Sequence, residues 1–243
     1  MRAKIYLDVP YNEKDYAKRL GASWDSHAKK WFFEGLTQDI IKFGRWITCR
    51  RDEIPIIFEC FHIIEAPQIC FKCKRETRVI GFGIGEHSIL VDEGNNMFLM
   101  DTPIDTNEIH LAWCDEEDGI PPLLLTYIKN KYNVKTGYSK VAGKTFANHC
   151  DCCGVIQGNF FLFYEDSPLN LMTSSEKELI NRISQMKIFN IYTEAALPLK
   201  WSISYGDTDW AYTAYYKNKP FEDVILSETE ELFTLYTEMY LLE

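Results

Sequence analysis

The sequence predicts an α+β chain. A small N-terminal β-α-β module leads into a mixed domain centred on paired cysteines and carrying a large insertion, and a C-terminal α/β segment follows. Three patterns point there. A strand, helix and strand succeed one another within the first 33 residues; two Cys-x2-Cys pairs lie far apart in the middle; and a capped helical stretch near residue 175 precedes further strand-like runs. The boundaries expected are 1–50, 54–165 with the insertion at 88–145, and 166–243. At 243 residues and 46% hydrophobic composition the chain can bury a substantial core and is not a disordered polymer.

Lys4–Val9 alternates as a short strand, and Pro10, which lacks an amide hydrogen, ends its pairing. Asn12 suits the N-cap of a helix over about 13–20. Glu13 and Asp15 fall in its first turn, Lys18 and Arg19 in its last, and Gly21 lies just beyond. Trp24-Asp25-Ser26 reads as a turn, and Lys30–Phe33 as a second strand with Trp31 and Phe33 on one face. Leu20, Trp24 and Trp31 are expected to form a small core, with Asp25 bonding the turn. A helix at 37–47 completes the unit.

The pattern Val9-Pro10-Tyr11-x-Glu13-Lys14-x-x-Ala17-Lys18-x-Leu20-Gly21-Ala22-x-Trp24-Asp25, then Lys29-Lys30-Trp31-Phe32 and Phe43-x-x-Trp46, resembles a small bacterial domain of unknown function. That domain accompanies plasmid and phage DNA primases and topoisomerase-like proteins, and its Gly-x-x-Trp-Asp…Lys-x-Trp core is similar to the HARP module of annealing helicases. The resemblance covers residues 3–47 and implies association with nucleic acid. Lys14, Lys18, Arg19, Lys29 and Lys30 are the side chains expected to follow phosphates beside an exposed aromatic ring; the plainer reading makes them a solvated surface.

Charge is unevenly shared. Residues 1–51 hold eleven Lys/Arg and six Asp/Glu, leaving fifteen basic and thirty acidic groups over 52–243. The first piece can meet a polyanion and the remainder repels one, so a protein that coats nucleic acid with its whole surface is excluded.

Ile54–Ile64 is apolar and β-prone, with Glu65-Ala66-Pro67 as an interruption before the first cysteine pair, Cys70-Phe71-Lys72-Cys73. The second pair lies in Cys150-Asp151-Cys152-Cys153. A Cys-x2-Cys turn aims two thiolates at one point, and two such turns complete a tetrahedral Cys₄ zinc site. Lys74 and Arg75 favour thiolates beside the first pair, and Gly154 permits a tight turn after the second. Residues 74–149, 76 in all, separate the pairs, so a shared metal makes the intervening chain an insertion closed at its base. Ordinary buried thiols and disulfides are the alternatives. His149 or Cys152 can replace Cys150 as fourth ligand. Residues 68–85 and 148–163 resemble the opening and closing halves of a split zinc ribbon, and that resemblance assigns the metal to Cys70, Cys73, Cys150 and Cys153.

Ser88–Leu99 reads as a strand, and Pro121-Pro122 opens a helix over about 122–132 with Leu123, Leu124, Tyr127 and Ile128 on one face. A helix runs from Ser174 or Ser175 to about Phe189, with Glu178 placed for a capping box. A strand pair follows around 191–216, turning at Tyr205-Gly206-Asp207, and Glu228–Leu241 suits an acidic terminal helix.

Other motifs carry less. Ala142-Gly143-Lys144-Thr145 lacks the first glycine of a phosphate loop, and Gly81-Phe82-Gly83-Ile84-Gly85 lacks dinucleotide-loop spacing. His62, His87 and His110 are too dispersed to form a set, acidic neighbours discourage Cys114 as a nucleophile, and Asp115–Asp118 reads as a solvated acidic loop. No acid, base and nucleophile constellation stands out. The expected function is thus a non-catalytic, zinc-binding bacterial, plasmid or phage protein associated with DNA or RNA. The alternative is an acidic inhibitor, immunity or adaptor protein that binds a basic protein partner. No nucleotide cofactor is expected, and no apolar run approaches a membrane span, so a cytoplasmic protein is expected.

Overall fold

The computed structural model describes residues 1–47, 53–58, 60–94, 97–101, 108–163, 167–170, 175–212 and 222–226. It corrects the expected α+β class: the described chain is mostly β, with fifteen strands in four sheets. Every strand pairing is antiparallel except one.

The N-terminal unit contains β1 (Arg2–Leu7), α1 (Lys14–Leu20), β2 (Ser23–Asp25) and β3 (Lys30–Leu36). It is not a β-α-β crossover, because β3 lies between β1 and β2 and runs antiparallel to both. The cause is local. Asp25 Oδ1 accepts the amides of His27 and Ala28 at 3.0 Å each, and Lys29 takes a left-handed φ of 52°, so the chain doubles back as a tight hairpin. Gly21 closes α1 at φ 106°, as its position predicts. Thr37–Trp46 is a 3-10 run rather than an α-helix. The Glu13 carboxylate ties it to α1 by accepting from Trp46 Nε1 at 2.6 Å and Arg45 at 3.1 Å. Trp31 is buried, but Trp24 stands 51% exposed at its edge and so is not a core residue.

The apolar stretch read as one strand divides between sheets: β4 (Glu53–Ile57) enters a four-stranded sheet and β5 (Cys60–Ile69) a six-stranded one. Glu65-Ala66-Pro67 does not interrupt β5. Pairing with the next strand on that side ends at Glu65, so the missing amide of Pro67 breaks no ladder there. Then come β6 (Glu76–Ile84), β7 (His87–Asp92), β8 (Met97–Asp101), β9 (His110–Trp113), α2 (Pro122–Lys131), β10 (Val134–Ser139), β11 (Gly143–Asn148) and the short α3 (Asn159–Phe163). The single strand expected at 88–99 is thus the hairpin β7–β8. Helix α2 appears where Pro122 and its apolar face place it, burying Leu124, Tyr127 and Ile128.

The C-terminal segment departs furthest from an α/β arrangement. Helix α4 (Glu176–Ile183) begins after Ser175 but stops well short of Phe189. Lys187–Thr193 is β12, whose β-branched and aromatic residues pack between β5 and β15 (Glu222–Leu226), the latter pairing being the parallel one. The short β13 (Leu197–Pro198) and β14 (Ser202–Ser204) do not pair with each other. The first joins β4 and the second joins β9, so this stretch stitches the two larger sheets together. The expected helix at 228–241 and the strand residues 213–216 lie outside the described residues.

The main core gathers Phe61, Phe82, Trp113, Ile128, Phe146 and Trp201 between the six-stranded sheet and its helices. A second core joins Trp31, Phe33, Phe43 and Trp46 of the N-terminal unit to Ile54, Ile56 and Leu90 of the four-stranded sheet. Among the described residues no helix is long and apolar enough to cross a membrane.

His62 on β5 stands directly opposite Asn190 on β12, with Nδ1 2.9 Å from the Asn190 oxygen. Burial lowers its pKa from 6.5 to about 4, against the raising effect of that hydrogen bond. The ring is therefore neutral in the fold and takes a proton more readily when unfolded, so stability falls as pH drops from about 6.5 to about 4. His62→Gln should flatten this part of the Tm–pH profile. Superimposable profiles for the two proteins would contradict the assignment.

Candidate functional site

The first cysteine pair sits at the tip of the β5–β6 hairpin and the second follows β11. The two turns are built alike. Cys70 donates its amide to Arg75 O at 2.9 Å and accepts from the Lys74 amide at 3.0 Å; Cys150 donates to Val155 O at 2.8 Å and accepts from the Gly154 amide at 2.9 Å. The residue four beyond each leading cysteine is left-handed, Lys74 at φ 59° and Gly154 at φ 68°. Glycine suits that position and lysine tolerates it at a cost.

The turns face each other and bring the four sulfurs together. Cys70 Sγ lies 3.7 Å from Cys153 Sγ, and Cys73 Sγ lies 3.7 Å from Cys150 Sγ. All four fall within 4.8 Å of one another. Metal–thiolate bonds of about 2.3 Å in a tetrahedron place sulfurs about 3.8 Å apart, whereas a disulfide requires about 2.05 Å. The cluster can therefore hold a metal ion. Cys152 is exposed, with Sγ directed to Glu76 O at 3.8 Å, and His149 turns Nδ1 to Ala147 O at 3.0 Å, so neither joins the four.

Electrostatics fit a cation. Burial opposes the Cys70 thiolate, but the amides of Cys73 and Lys72 and the neighbouring thiols outweigh it and bring the pKa down to about 6. Cys150 is likewise lowered, the amides of Cys153 and Cys152 overcoming burial. The Val155 amide favours a Cys153 thiolate, yet burial and the three neighbouring thiols push that group up to about 11. Thiolates crowd one another here, and a central positive charge relieves the crowding.

The supporting shell is clear only in three dimensions. β9 pairs with β6 over Phe82–Ile84 alone, and beyond it the Asn148 amide takes the place of a strand, accepting from Ile80 N at 2.8 Å and donating to Ile80 O at 2.9 Å. Asn133 donates to Cys150 O at 2.9 Å. Gln157 Nε2 reaches Cys70 Sγ at 3.6 Å and Val155 O at 3.0 Å. Thr77 and Arg78 on β6 hold Asp151 through its amide and carboxylate. Asn148 and Gln157 flank the second pair in sequence, which was the available signal; nothing local marked Asn133, Thr77 or Arg78.

The five basic candidates are dispersed over the N-terminal unit. Lys14, Lys18 and Arg19 lie on α1, with Lys14 Nζ 3.9 Å from the Tyr11 ring centre, Lys18 Nζ 5.7 Å from Trp31 and the Arg19 guanidinium 5.7 Å from Tyr16. Lys29 lies in the β2–β3 turn. Lys30 stands 5.8 Å from Tyr6, on the sheet face opposite Trp31. Lys18 and Lys29 are exposed, as is Trp24.

Two further sequence readings change. His87 and His110, expected to be dispersed, meet with ring centres 5.9 Å apart, while His62 lies elsewhere on β5. His110 Nδ1 is 2.6 Å from Asp209 Oδ2, and His87 Nε2 is 2.9 Å from the Tyr205 hydroxyl. Burial lowers the His87 pKa and raises that of Tyr205. The acidic loop is not simply solvated: Asp115 bonds Asn159, Glu117 bonds Lys129 and Thr136, and Asp118 pairs with Lys200 at 3.5 Å.

Similarity to known proteins is concentrated at the N-terminus. Residues 4–48 match a family described as a domain of unknown function, DUF5710. A DNA primase TraC of Escherichia coli is 42% identical over 52 residues, which is 21% of this chain and 4% of the primase. A second E. coli DNA primase TraC is 46% identical over 41 residues, 17% of this chain and 3% of the primase. The chain thus spans only a few per cent of the length of these relatives. The family match ends before the first cysteine pair, and no solved structure matches.

Removing the Asn148 amide leaves the Ile80 N–H and C=O unpaired in a buried position. Asn148→Ala should cost roughly 2–4 kcal/mol of stability, read by denaturant unfolding. A loss below about 0.5 kcal/mol would show that the clamp carries no weight.

Proposed function

We propose that this chain is a non-catalytic, zinc-stabilised protein that associates with nucleic acid through its N-terminal unit. The observation that carries the reading is the identity between that unit and a segment of DNA primases. Its positive balance, unlike the rest of the chain, supports the same reading. Trp24 offers an exposed indole at the edge of Trp31, with Lys18 over the latter ring and Lys29 in the adjoining turn, a combination suited to stacking a base between phosphate contacts. Lys14, Arg19 and Lys30 extend the positive surface.

Zinc is the metal we assign to Cys70, Cys73, Cys150 and Cys153. Four thiolates with no open position suit a closed structural site for a soft-tolerant ion of tetrahedral habit. The purified protein should contain one zinc per chain, and Cys70→Ser or a strong chelator should remove it and lower Tm by more than 10 °C. A metal-free protein prepared without chelator, or a Tm indifferent to chelation, would refute the assignment.

The nucleic-acid reading is tested on the full chain, because the N-terminal core shares Ile54, Ile56 and Leu90 with the body. Anisotropy of labelled single- and double-stranded oligonucleotides should give affinities that fall with salt. The Lys18→Glu/Lys29→Glu variant should bind at least tenfold more weakly, with a log–log salt slope shallower by about 1.4–1.8. Absence of binding at low salt would reject this reading.

The thirty acidic groups over residues 52–243 favour one competitor, an adaptor or inhibitor that captures a basic protein. A basic protein co-purifying in fixed stoichiometry, and retained by the Lys18→Glu/Lys29→Glu variant, would favour it.

A further inference from the structure

A cleft of about 650 Å³ opens between the face of β9 and β14 on one side and α3 with the tip of the β10–β11 hairpin on the other. Its size suits a small-molecule ligand. Trp113, buried, forms part of its wall and stacks on Phe163 at 5.0 Å and 23°. Phe160 and Phe161 line it too, but are 56% and 65% exposed, a large aromatic surface to leave in water.

The polar groups in this aromatic cleft are arranged with one bias. Asn159 Nδ2 donates to Asp115 Oδ1 at 2.6 Å and to Phe146 O at 3.1 Å, and stands 3.4 Å from Thr145 Oγ1. Asp115 Oδ1 and Phe146 O can only accept, so these two settle the amide orientation. The consequence is an Asn159 Oδ1 that is buried with no hydrogen-bond partner among the described residues. Such an orphan is uncommon in a folded protein and costs stability unless something else supplies a donor. Asp115, also lining the cleft and exposed, has its Oδ1 engaged by Asn159 and, at 3.4 Å, by Thr145, which leaves Oδ2 available. Asn159 Oδ1 is closed off from solvent, so the acceptor the cleft presents is the exposed Asp115 carboxylate, held in place by Asn159 and Thr145. Its complement is a flat, apolar-faced ligand carrying neighbouring N–H donors on one edge.

Among the common bases only guanine offers this. Its N1–H and N2–H₂ are adjacent donors matched to a carboxylate, whereas adenine and cytosine pair one amino group with a ring acceptor and uracil places one N–H between two carbonyls. Lys140 and Lys144 are exposed on the hairpin whose Ser139, Val141 and Ala142 line the cleft, so that hairpin also carries positive charge. We infer that this cleft binds a guanine base, its ring packed among Trp113, Phe160 and Phe161 and its N–H edge read by the Asp115 carboxylate, which Asn159 positions. This site is separate from the N-terminal surface and does not depend on that surface binding nucleic acid.

The test is calorimetric titration of the full, metal-loaded chain with GMP, AMP, CMP, UMP and arginine amide, the last presenting similar donors without an aromatic face. GMP should bind at least tenfold more tightly than the others. Asp115→Asn should abolish that preference, and Phe160→Ala/Phe161→Ala should weaken GMP at least fivefold while leaving Tm within 2 °C, since both rings are exposed. A single-stranded oligo(dA) containing one dG distinguishes the source: a tenfold gain over plain oligo(dA) in the Lys18→Glu/Lys29→Glu background supports a base read within a strand, and GMP binding without that gain supports a free nucleotide. Equal affinity for AMP and GMP, preference for arginine amide, no GMP binding at 5 mM, or a GMP preference that survives Asp115→Asn in a folded protein would overturn the inference.

Discussion

Cys70 and Cys153 are 83 residues apart in the chain, and Cys73 and Cys150 are 77 apart, yet each pair of sulfurs stands at 3.7 Å. That convergence is the constraint around which the middle of the molecule is arranged. The first turn is the tip of the β5–β6 hairpin, at the centre of the six-stranded sheet, and the second ends the β10–β11 hairpin. A metal ion held between them would close a loop containing β6 to β11 and α2. Closing so long a loop removes conformational entropy from the unfolded chain, on the order of 4 kcal/mol by chain-entropy reasoning borrowed from disulfides. Two like-built turns also explain how four thiols can be gathered together: the leading sulfurs, Cys70 and Cys150, are buried, and each receives amide hydrogens from its own turn, which favours its thiolate.

Around the four sulfurs the sheet is completed by side chains where strands run out. Asn148 supplies Ile80 with both hydrogen bonds that β9, ending its pairing at Phe82, does not. Asn133 and Gln157 do the same for the second turn. The cysteine cluster and the core are therefore one mechanical unit: β6 contributes Phe82 to the aromatic stack with Trp113 and Trp201, and contributes Thr77, Arg78 and Ile80 to the support of the second cysteine turn.

The N-terminal unit is bound to this body differently, by apolar packing against β4 and β7 and by the Ala196 amide donating to Lys4 O at 2.6 Å. Its outer surface is held by charge. Lys4, Tyr6 and Asp25 bond one another, and the Asp25 carboxyl is held down to about 2, chiefly by the Ala28 amide, in spite of desolvation. Asp25 is thus a structural residue of the turn, which explains its place in the Trp-Asp pattern without a functional role. Trp24, its neighbour in that pattern, packs edge-to-face on Trp31 with half its surface still in water.

Local chemistry sufficed wherever a feature is decided within a few residues. The Cys-x2-Cys turns, Gly21 as a left-handed cap, the Asp25 turn and the Pro122-led helix were legible because spacing, φ preference and capping act at short range. The four sulfurs could be named for the same reason, although their meeting could not be demonstrated. The mostly-β architecture was not legible. Whether Lys187–Thr193 continues a helix or becomes β12, whether Ile54–Ile64 is one strand or two, and whether the N-terminal strands run parallel all depend on partners distant in the chain. The same holds for His87 with His110, brought together by strands from different sheets, and for Asp115 with Asn159 across 44 residues. Short-range preferences belong to the polypeptide itself, but strand pairing and the polar contacts it creates exist only once remote segments have been packed together, and no residue carries that information alone.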